Sequence, residues 1–423
     1  MPNVVGCTML SRAMFRCGQM CSRVFAVEFD LRTEPLYFTL SAKPHILHHD
    51  YQRFFGDGKI FSLYIDSDNR IQKAQTHAEI KTKLSKKIAR DCDVLETCSF
   101  IPDVKNSVVK GFCIRDKSTP GISEEILKTF RQNESVCVFS YKRDGQYCWQ
   151  ELWSPVNQTE KAERQYVTPA STPLYHPSTL DIRSSDVFYS RDEAYMVLQE
   201  CSDIVPESKA VLQLVDEQVE SCGGVGFPVI VIEGLDASGK TTLTEALRES
   251  LNATLLKSPP QCLAPFRQRF DSEPPVIRRA FYALGNYITA AQMGKESLKA
   301  PVIVDRYWHS TAAYAIATAV SGRLENLPRP DSELYQWPED LLRPNLVLLL
   351  NVNPEERMRR LRDRGQDKTI EENELEVNQL FRLKVEEAYK RIQNPSCLSV
   401  DASPSPQEVL QQVLRLIRNK CHL

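Results

Sequence analysis

Acidic residues are absent from the first 27 positions of this 423-residue chain, although it carries 55 Asp and Glu against 53 Lys and Arg. Arg12, Arg16 and Arg23 recur there among Met, Leu, Phe, Val, Ser and Cys. On a helix from about Thr8 to Val24 these arginines fall four and seven apart, with Met9, Leu10, Met14 and Phe15 elsewhere on the surface. An acid-free, Arg-bearing, weakly amphipathic start predicts a mitochondrial transit peptide over residues 1–27. A disordered tail is the alternative, whereas a secretory signal would need the apolar stretch that Arg12 and Arg16 break. No apolar run is long enough to cross a bilayer. The 13 cysteines form no C-x-x-C pair and no Cys/His cluster at zinc spacing, which argues against a zinc site and a disulfide framework and reads as reduced thiols. A net charge of -2 excludes a generally basic coat, so no nucleic-acid partner is expected.

What is present suits two or three globular domains, with 42% hydrophobic and 26% charged residues. Residues 28–155 alternate short β-rich runs, such as Ile60-Phe-Ser-Leu-Tyr-Ile65 and Val136-Cys-Val-Phe-Ser-Tyr141, with helical patterns. They predict a small α+β domain of undeciphered role. His45, His48, His49 and Asp50 read as a solvated loop beside Pro44, and Lys81 to Arg90 as a helix face with Leu84 and Ile88 inward. Residues 156–225 begin rich in Pro, Ser and Thr, which predicts a linker, and continue into two helices, the first capped by Ser190 with Glu193. A catalytic domain is expected over 226–423.

Its first strand pattern, Val229-Ile-Val-Ile-Glu-Gly234, runs directly into Gly234-Leu235-Asp236-Ala237-Ser238-Gly239-Lys240-Thr241-Thr242 and then a helical stretch. That strand, G-x-x-x-x-G-K-T loop and helix are the context of a phosphate-binding loop. Gly234 and Gly239 let successive N–H groups turn inward toward phosphate oxygens, and the helix N-terminus adds positive potential. Lys240 would reach the outer phosphates, and the Thr241 hydroxyl would bind Mg²⁺. The motif predicts a nucleoside triphosphate ligand.

A second apolar run, Pro301-Val-Ile-Val, ends in Asp305-Arg306. In an open α/β sheet the carboxyl ends of the strands line the ligand crevice, which places both residues beside Lys240. A carboxylate there supports a metal through water, and a guanidinium grips a second phosphate. A third strand pattern, Leu346 to Asn351, precedes Arg357, Arg359, Arg360, Arg362 and Arg364. Five arginines in eight residues read either as a solvated helix face or as a mobile lid over a transferring phosphoryl group.

The loop Gly-Leu-Asp236-Ala-Ser-Gly-Lys-Thr, the block Asp305-Arg306-Tyr-x-x-Ser310-x-x-Ala-Tyr314, Arg343-Pro344-Asn-Leu and Val400-Asp401-Ala402-Ser403 together resemble the thymidylate kinase family of nucleoside monophosphate kinases. The resemblance covers the chain from about Phe227 to its end. It implies an α/β P-loop NTPase fold, a parallel sheet with helices on both faces, using ATP and Mg²⁺. It implies transfer of the γ-phosphoryl group to a pyrimidine (deoxy)nucleoside monophosphate. Residues 234–242 would then hold the donor, Asp236 would bond the acceptor sugar, Arg306 the acceptor phosphate, and Thr241 and Asp305 the metal. The family carries an arginine over the β/γ bridge in the loop or the lid. Ala237 fills the loop position here, which leaves Arg359, Arg360, Arg362 and Arg364. Where the family stacks and reads thymine with an aromatic residue and an arginine, this chain aligns Tyr282 and Asn286, and an amide suits another pyrimidine edge. The family's T-R-E-P-G element is replaced by Lys257-Ser-Pro-Pro260. Thymidylate kinase proper and an interaction protein with a vestigial kinase domain stay open as alternatives, as does a homodimer; a GTPase-like switch would need an N-K-x-D element.

Overall fold

The computed structural model describes residues 23–29, 34–56, 58–65, 67–87, 92–117, 123–130, 132–133, 135–153, 164–183, 185–219, 226–364 and 378–423. The chain divides into two compact units, Met1–Asp181 with Ser321–Asn326, and Ile182–Val320 with Leu327–Leu423.

The first unit contains strands β1 (Val24–Val27), β2 (Leu36–Ser41), β3 (Lys59–Ile65), β4 (Cys92–Phe100), β5 (Val109–Asp116), β6 (Val136–Asp144), β7 (Tyr147–Leu152) and β8 (Gln165–Pro169). Helices α1 (His49–Gly56), α2 (Arg70–Lys87) and α3 (Ser123–Phe130) lie between them. The strands close an antiparallel barrel in the order β1-β2-β8-β7-β6-β3-β5-β4. Alternation explains why the strands are apolar on both sides. Ile60 and Tyr64 join one cluster with Phe25, Phe38, Phe55 and Val167, while Phe61, Leu63 and Ile65 join another with Leu84 of α2 and Leu127 of α3. Among the described residues, the expected α+β domain is therefore a closed barrel with three α-helices.

Two boundaries move. Val24–Val27, assigned to the leader from its composition, is β1, paired to β2 on one side and β4 on the other. The leader expected over residues 1–27 therefore overlaps the barrel at its end, and its residues 1–22 lie outside the described part. Within the expected linker, Gln165–Pro169 is β8, filling the barrel between β2 and β7. Proline tolerates this position because Pro169 ends its strand.

The second unit opens with α4 (Arg191–Glu200) and α5 (Glu207–Gln218), both packed on the long helix named α8 below. Ser190 caps α4 by accepting from Glu193 N at 3.2 Å. Their apolar faces, including Val197, Leu198, Val211 and Val215, are fully buried, so these helices belong to this unit's core and not to a linker. There follow β9 (Val229–Gly234), α6 (Lys240–Leu251), β10 (Thr254–Lys257), α7 (Arg267–Asp271), α8 (Pro275–Ser297), β11 (Val302–Asp305), α9 (Trp308–Ala319), β12 (Leu346–Asn351), α10 (Pro354–Arg364), α11 (Gln379–Arg391), β13 (Leu398–Asp401) and α12 (Pro406–Cys421). The sheet is wholly parallel in the order β10-β11-β9-β12-β13. Ile230, Ile232, Leu348 and Val400 from one sheet face pack with Leu243 and Leu247 of α6 and Val413 and Ile417 of α12. The order changes direction at β9, so the loop after β9 sits at the switch point where such sheets open their ligand crevice.

Candidate active site

The loop after β9 is shaped by its glycines. A Cβ on Gly234 (φ 145°) would meet Leu350 O at 2.8 Å and Ser238 Oγ at 2.9 Å, and Gly239 caps α6 in the left-handed region at φ 90°. Ala237 takes a φ of 62° without being glycine, a strain of the kind that collects at functional loops. Residues 236–242 line a cleft of about 1530 Å³.

Lys240, the first residue of α6, is buried and donates to Gly234 O at 3.0 Å and Leu235 O at 2.8 Å. Burial, reinforced by the neighbouring Arg306 charge, pulls its pKa down to about 8. Across the loop, Arg306 follows β11 with a φ of 66°. Its Nη2 donates to Asp236 Oδ1 at 2.6 Å and its Nη1 to Ser310 Oγ at 3.1 Å, with the guanidinium over the Tyr314 ring. Burial alone would lower the Arg306 pKa, but Asp236 together with Tyr314, Tyr389 and Glu233 outweighs it and holds the guanidinium well above its ordinary value. The carboxyl of Asp236 is likewise raised by burial and lowered more by Arg306, Lys240 and Arg357, ending below its ordinary value.

Glu233 is a functional residue that motif reading passed over, being one strand position before the loop glycine. It is 0% exposed. Its Oε1 accepts from Tyr307 N at 2.9 Å and Ser310 N at 3.2 Å, while Oε2 accepts from the Ser310 hydroxyl and from Tyr389 Oη at 3.3 Å. One carboxylate thus ties the start of α9, and with it the Asp305-Arg306 turn, to the strand that carries the loop. A glutamate inside the otherwise apolar run Val229 to Ile232 was the available signal.

Asp305 ends β11 in the cleft wall, and its buried Oδ1 has no hydrogen-bond partner among the described residues. The Ser238 hydroxyl is buried in the same condition, and Thr241 is exposed in the cleft. Oxygen donors with an unsatisfied buried carboxylate fit a hard divalent cation.

The arginine run divides. Arg359 and Arg360 line the cleft; both pair with Glu356, and Arg360 also donates to Ala402 O at 3.0 Å. Arg362 is exposed and donates to Met358 O within its own helix, and the side chain of Arg364 lies outside the described part. Arg357, part of the run but not of the four candidates for the bridging arginine, is buried, and its Nε donates to Asp236 O at 3.0 Å.

On the α7–α8 side, Tyr282 lines the cleft as expected from its place in the alignment and donates to Asp271 Oδ1 at 2.7 Å. Burial raises its phenol pKa to about 12. Asn286 does not line the cleft. It is 1% exposed, accepting from Ser258 Oγ at 2.8 Å and donating to Thr311 Oγ1 at 3.0 Å. Its amide is spent inside the protein, and the two hydroxyls it bonds, those of Ser258 and Thr311, belong to residues of the cleft wall. Arg267, Arg278, Arg279 and Lys257 also line this side and were not anticipated as a group.

Residues 232–413 match the family model for thymidylate kinase. Over 358 residues the chain is 46% identical to "UMP-CMP kinase 2, mitochondrial" of Homo sapiens, covering 83% of this chain and 80% of that protein. A probable thymidylate kinase of Archaeoglobus fulgidus is 26% identical over 210 residues, covering 46% of this chain and 97% of the relative. A solved thymidylate kinase structure from Candida albicans aligns at 22% identity and a TM-score of 0.38, over 48% of this chain and 96% of that one.

Proposed function

This chain belongs to the thymidylate kinase family and is a nucleoside monophosphate kinase, and from that premise we propose that it transfers the γ-phosphoryl group of ATP to UMP, CMP, dUMP or dCMP in mitochondria. The observation that carries the reading is the convergence on one cleft, built by a phosphate loop, of Lys240, the Asp236–Arg306 pair and Asp305, whose Oδ1 has no hydrogen-bond partner among the described residues.

A phosphate oxygen of the monophosphate attacks the γ-phosphorus in line, and the bond from that phosphorus to the β–γ bridging oxygen breaks, leaving a nucleoside diphosphate and ADP. The loop N–H groups and Lys240 hold the donor; a triphosphate oxygen replaces the loop carbonyls that Lys240 now contacts. Arg306 grips the acceptor phosphate, and Asp236, which uses Oδ1 on Arg306, offers its second oxygen to the acceptor sugar. Thr241 and Asp305 would hold Mg²⁺, which when bound neutralises charge on the donor phosphates. No side chain has to form a bond to substrate, so positioning and charge carry the rate.

Pyrimidine selection falls to Tyr282 and to the hydroxyls of Ser258 and Thr311, which Asn286 holds in place. The full chain, ATP, Mg²⁺ and a panel of UMP, CMP, dUMP, dCMP, dTMP, AMP and GMP, read by ADP release and product chromatography, tests the proposal. Turnover of the four named substrates above the rest is expected. Preference for dTMP would make the chain a thymidylate kinase proper, and no turnover would leave a nucleotide-binding protein.

A further inference from the structure

The loop position at which this family can carry an arginine is Ala237 here, yet a guanidinium stands at the loop all the same. Arg357, in the first turn of α10, is only 3% exposed. Its Nε donates at 3.0 Å to the carbonyl of Asp236, which belongs to the same peptide as the Ala237 N–H. Its Nη2 is buried with no hydrogen-bond partner among the described residues. Burial and the nearby Arg382 charge pull its pKa below the ordinary arginine value, with Asp236 opposing them. Retaining a buried cation with an unsatisfied donor is costly unless its field is used.

We propose that Arg357 is a positioning residue for phosphoryl transfer, polarising the Asp236–Ala237 peptide from behind. The Ala237 N–H thereby donates more strongly to the triphosphate, and the loop gains a fixed positive charge where residue 237 offers only a methyl group. A charged donor on a peptide carbonyl strengthens the donor at that peptide's other end, because hydrogen-bonded dipoles in a buried site polarise one another. The same bond fastens the foot of α10 to the loop, so that Arg359 and Arg360 are carried on a helix anchored at the site. This proposal rests on the reading of the loop as the phosphate site of a kinase.

The test compares the full chain with Arg357→Ala, Arg357→Gln, and Arg357→Ala combined with Ala237→Arg, using Arg415→Ala as an exposed control away from the cleft. For each, kcat, KM for ATP and the thermal midpoint are measured with a monophosphate that the parent turns over. Arg357→Ala is expected to lower kcat about 10- to 100-fold, somewhat less than outright removal of a preorganised donor, with KM for ATP within about threefold. Adding Ala237→Arg should recover much of that loss, because the charge returns to the loop by another route; a merely structural role would not be repaired so. Parent-like kcat in Arg357→Ala, or a loss that Ala237→Arg leaves untouched, overturns the proposal. If Arg357→Ala fails to fold, Arg357→Gln, which keeps an N–H donor but not the charge, carries the test, with a tenfold or greater fall in kcat expected and parent-like turnover refuting it. A parent that phosphorylates no monophosphate would overturn the functional reading itself, a result distinguishable from either outcome for Arg357.

Discussion

Glu233→Ala should cost stability out of proportion to the atoms removed. The substitution leaves two backbone donors, Tyr307 N and Ser310 N, without the carboxylate that now accepts from both. Each buried, unsatisfied donor costs about 1–3 kcal/mol, so the pair predicts a loss of about 2–6 kcal/mol. That is a large share of the roughly 5–15 kcal/mol that holds a typical domain together. The hydroxyls of Ser310 and Tyr389 keep each other at 2.8 Å and add little. Glu233→Gln should behave differently, since its amide oxygen still accepts from both N–H groups and its nitrogen donates to a hydroxyl. Burial raises the Glu233 pKa above its ordinary 4.5, so the folded state holds the proton more tightly than the unfolded chain does. The contribution of this group is therefore full below the unfolded value and is lost as pH rises through the folded value. The Gln variant lacks that loss, and its stability relative to the parent should rise with pH across the same window. Urea denaturation followed by fluorescence of the buried Trp308 and Trp337, at pH values from 4.5 to 8, measures both effects. A loss under about 1 kcal/mol for Glu233→Ala, or parallel pH curves for parent and Glu233→Gln, would refute the reasoning.

Lys240→Ala should abolish transfer while the fold survives, and near-normal turnover would remove the loop from the mechanism. In the nucleotide-free parent, ATP affinity should fall by up to about tenfold per pH unit above about 8 as Lys240 deprotonates, and Lys240→Met should show no such limb; its depressed pKa also means that its contribution to stability rises with pH between about 8 and its unfolded 10.5. Arg306→Ala should raise KM for the monophosphate more than for ATP, and the reverse order would contradict the assigned role. Single Arg→Ala kinetics at Arg359, Arg360, Arg362 and Arg364 should find the largest effects at the cleft-lining Arg359 and Arg360 and almost none at Arg362; a quadruple variant within a few fold of the parent would make the run a solvated face. Residues 1–22 fused to a reporter should direct it to mitochondria, and diffuse cytosolic signal would count against import.

How much of this was legible depended on whether a feature is local in the chain. Gly234, Gly239, Lys240 and Asp305 follow from backbone and phosphate chemistry within a few residues of one another, and the structure places the last two in one cleft. The barrel was not legible because its closure pairs β1 with β4 and β2 with β8, strands whose partners lie far apart in sequence. Asn286 sits on the helix face that alignment selects, but α8 buries residues around most of its circumference, and alignment does not measure depth. Arg357 looked like one more charge in a basic run; only the fold puts the helix's first turn behind the loop. The leader boundary ran too far because β1 is four residues long and as free of acids as what precedes it.

That short strand limits where the chain could be cut ahead of the barrel. β1 bonds to neighbours on both sides, so it is the seam of the barrel ring, and Arg23 just before it donates to Ser99 O at 3.0 Å and to Ser99 Oγ at 3.1 Å. A protease that cut after Val27 would turn the ring into a sheet with raw edges at β2 and β4, stripping Phe25 off Phe38 and Tyr64. If residues ahead of the barrel are removed as a leader, the cut has to fall before Arg23 for the seam to survive, and a cut within β1 would expose strand edges that favour aggregation.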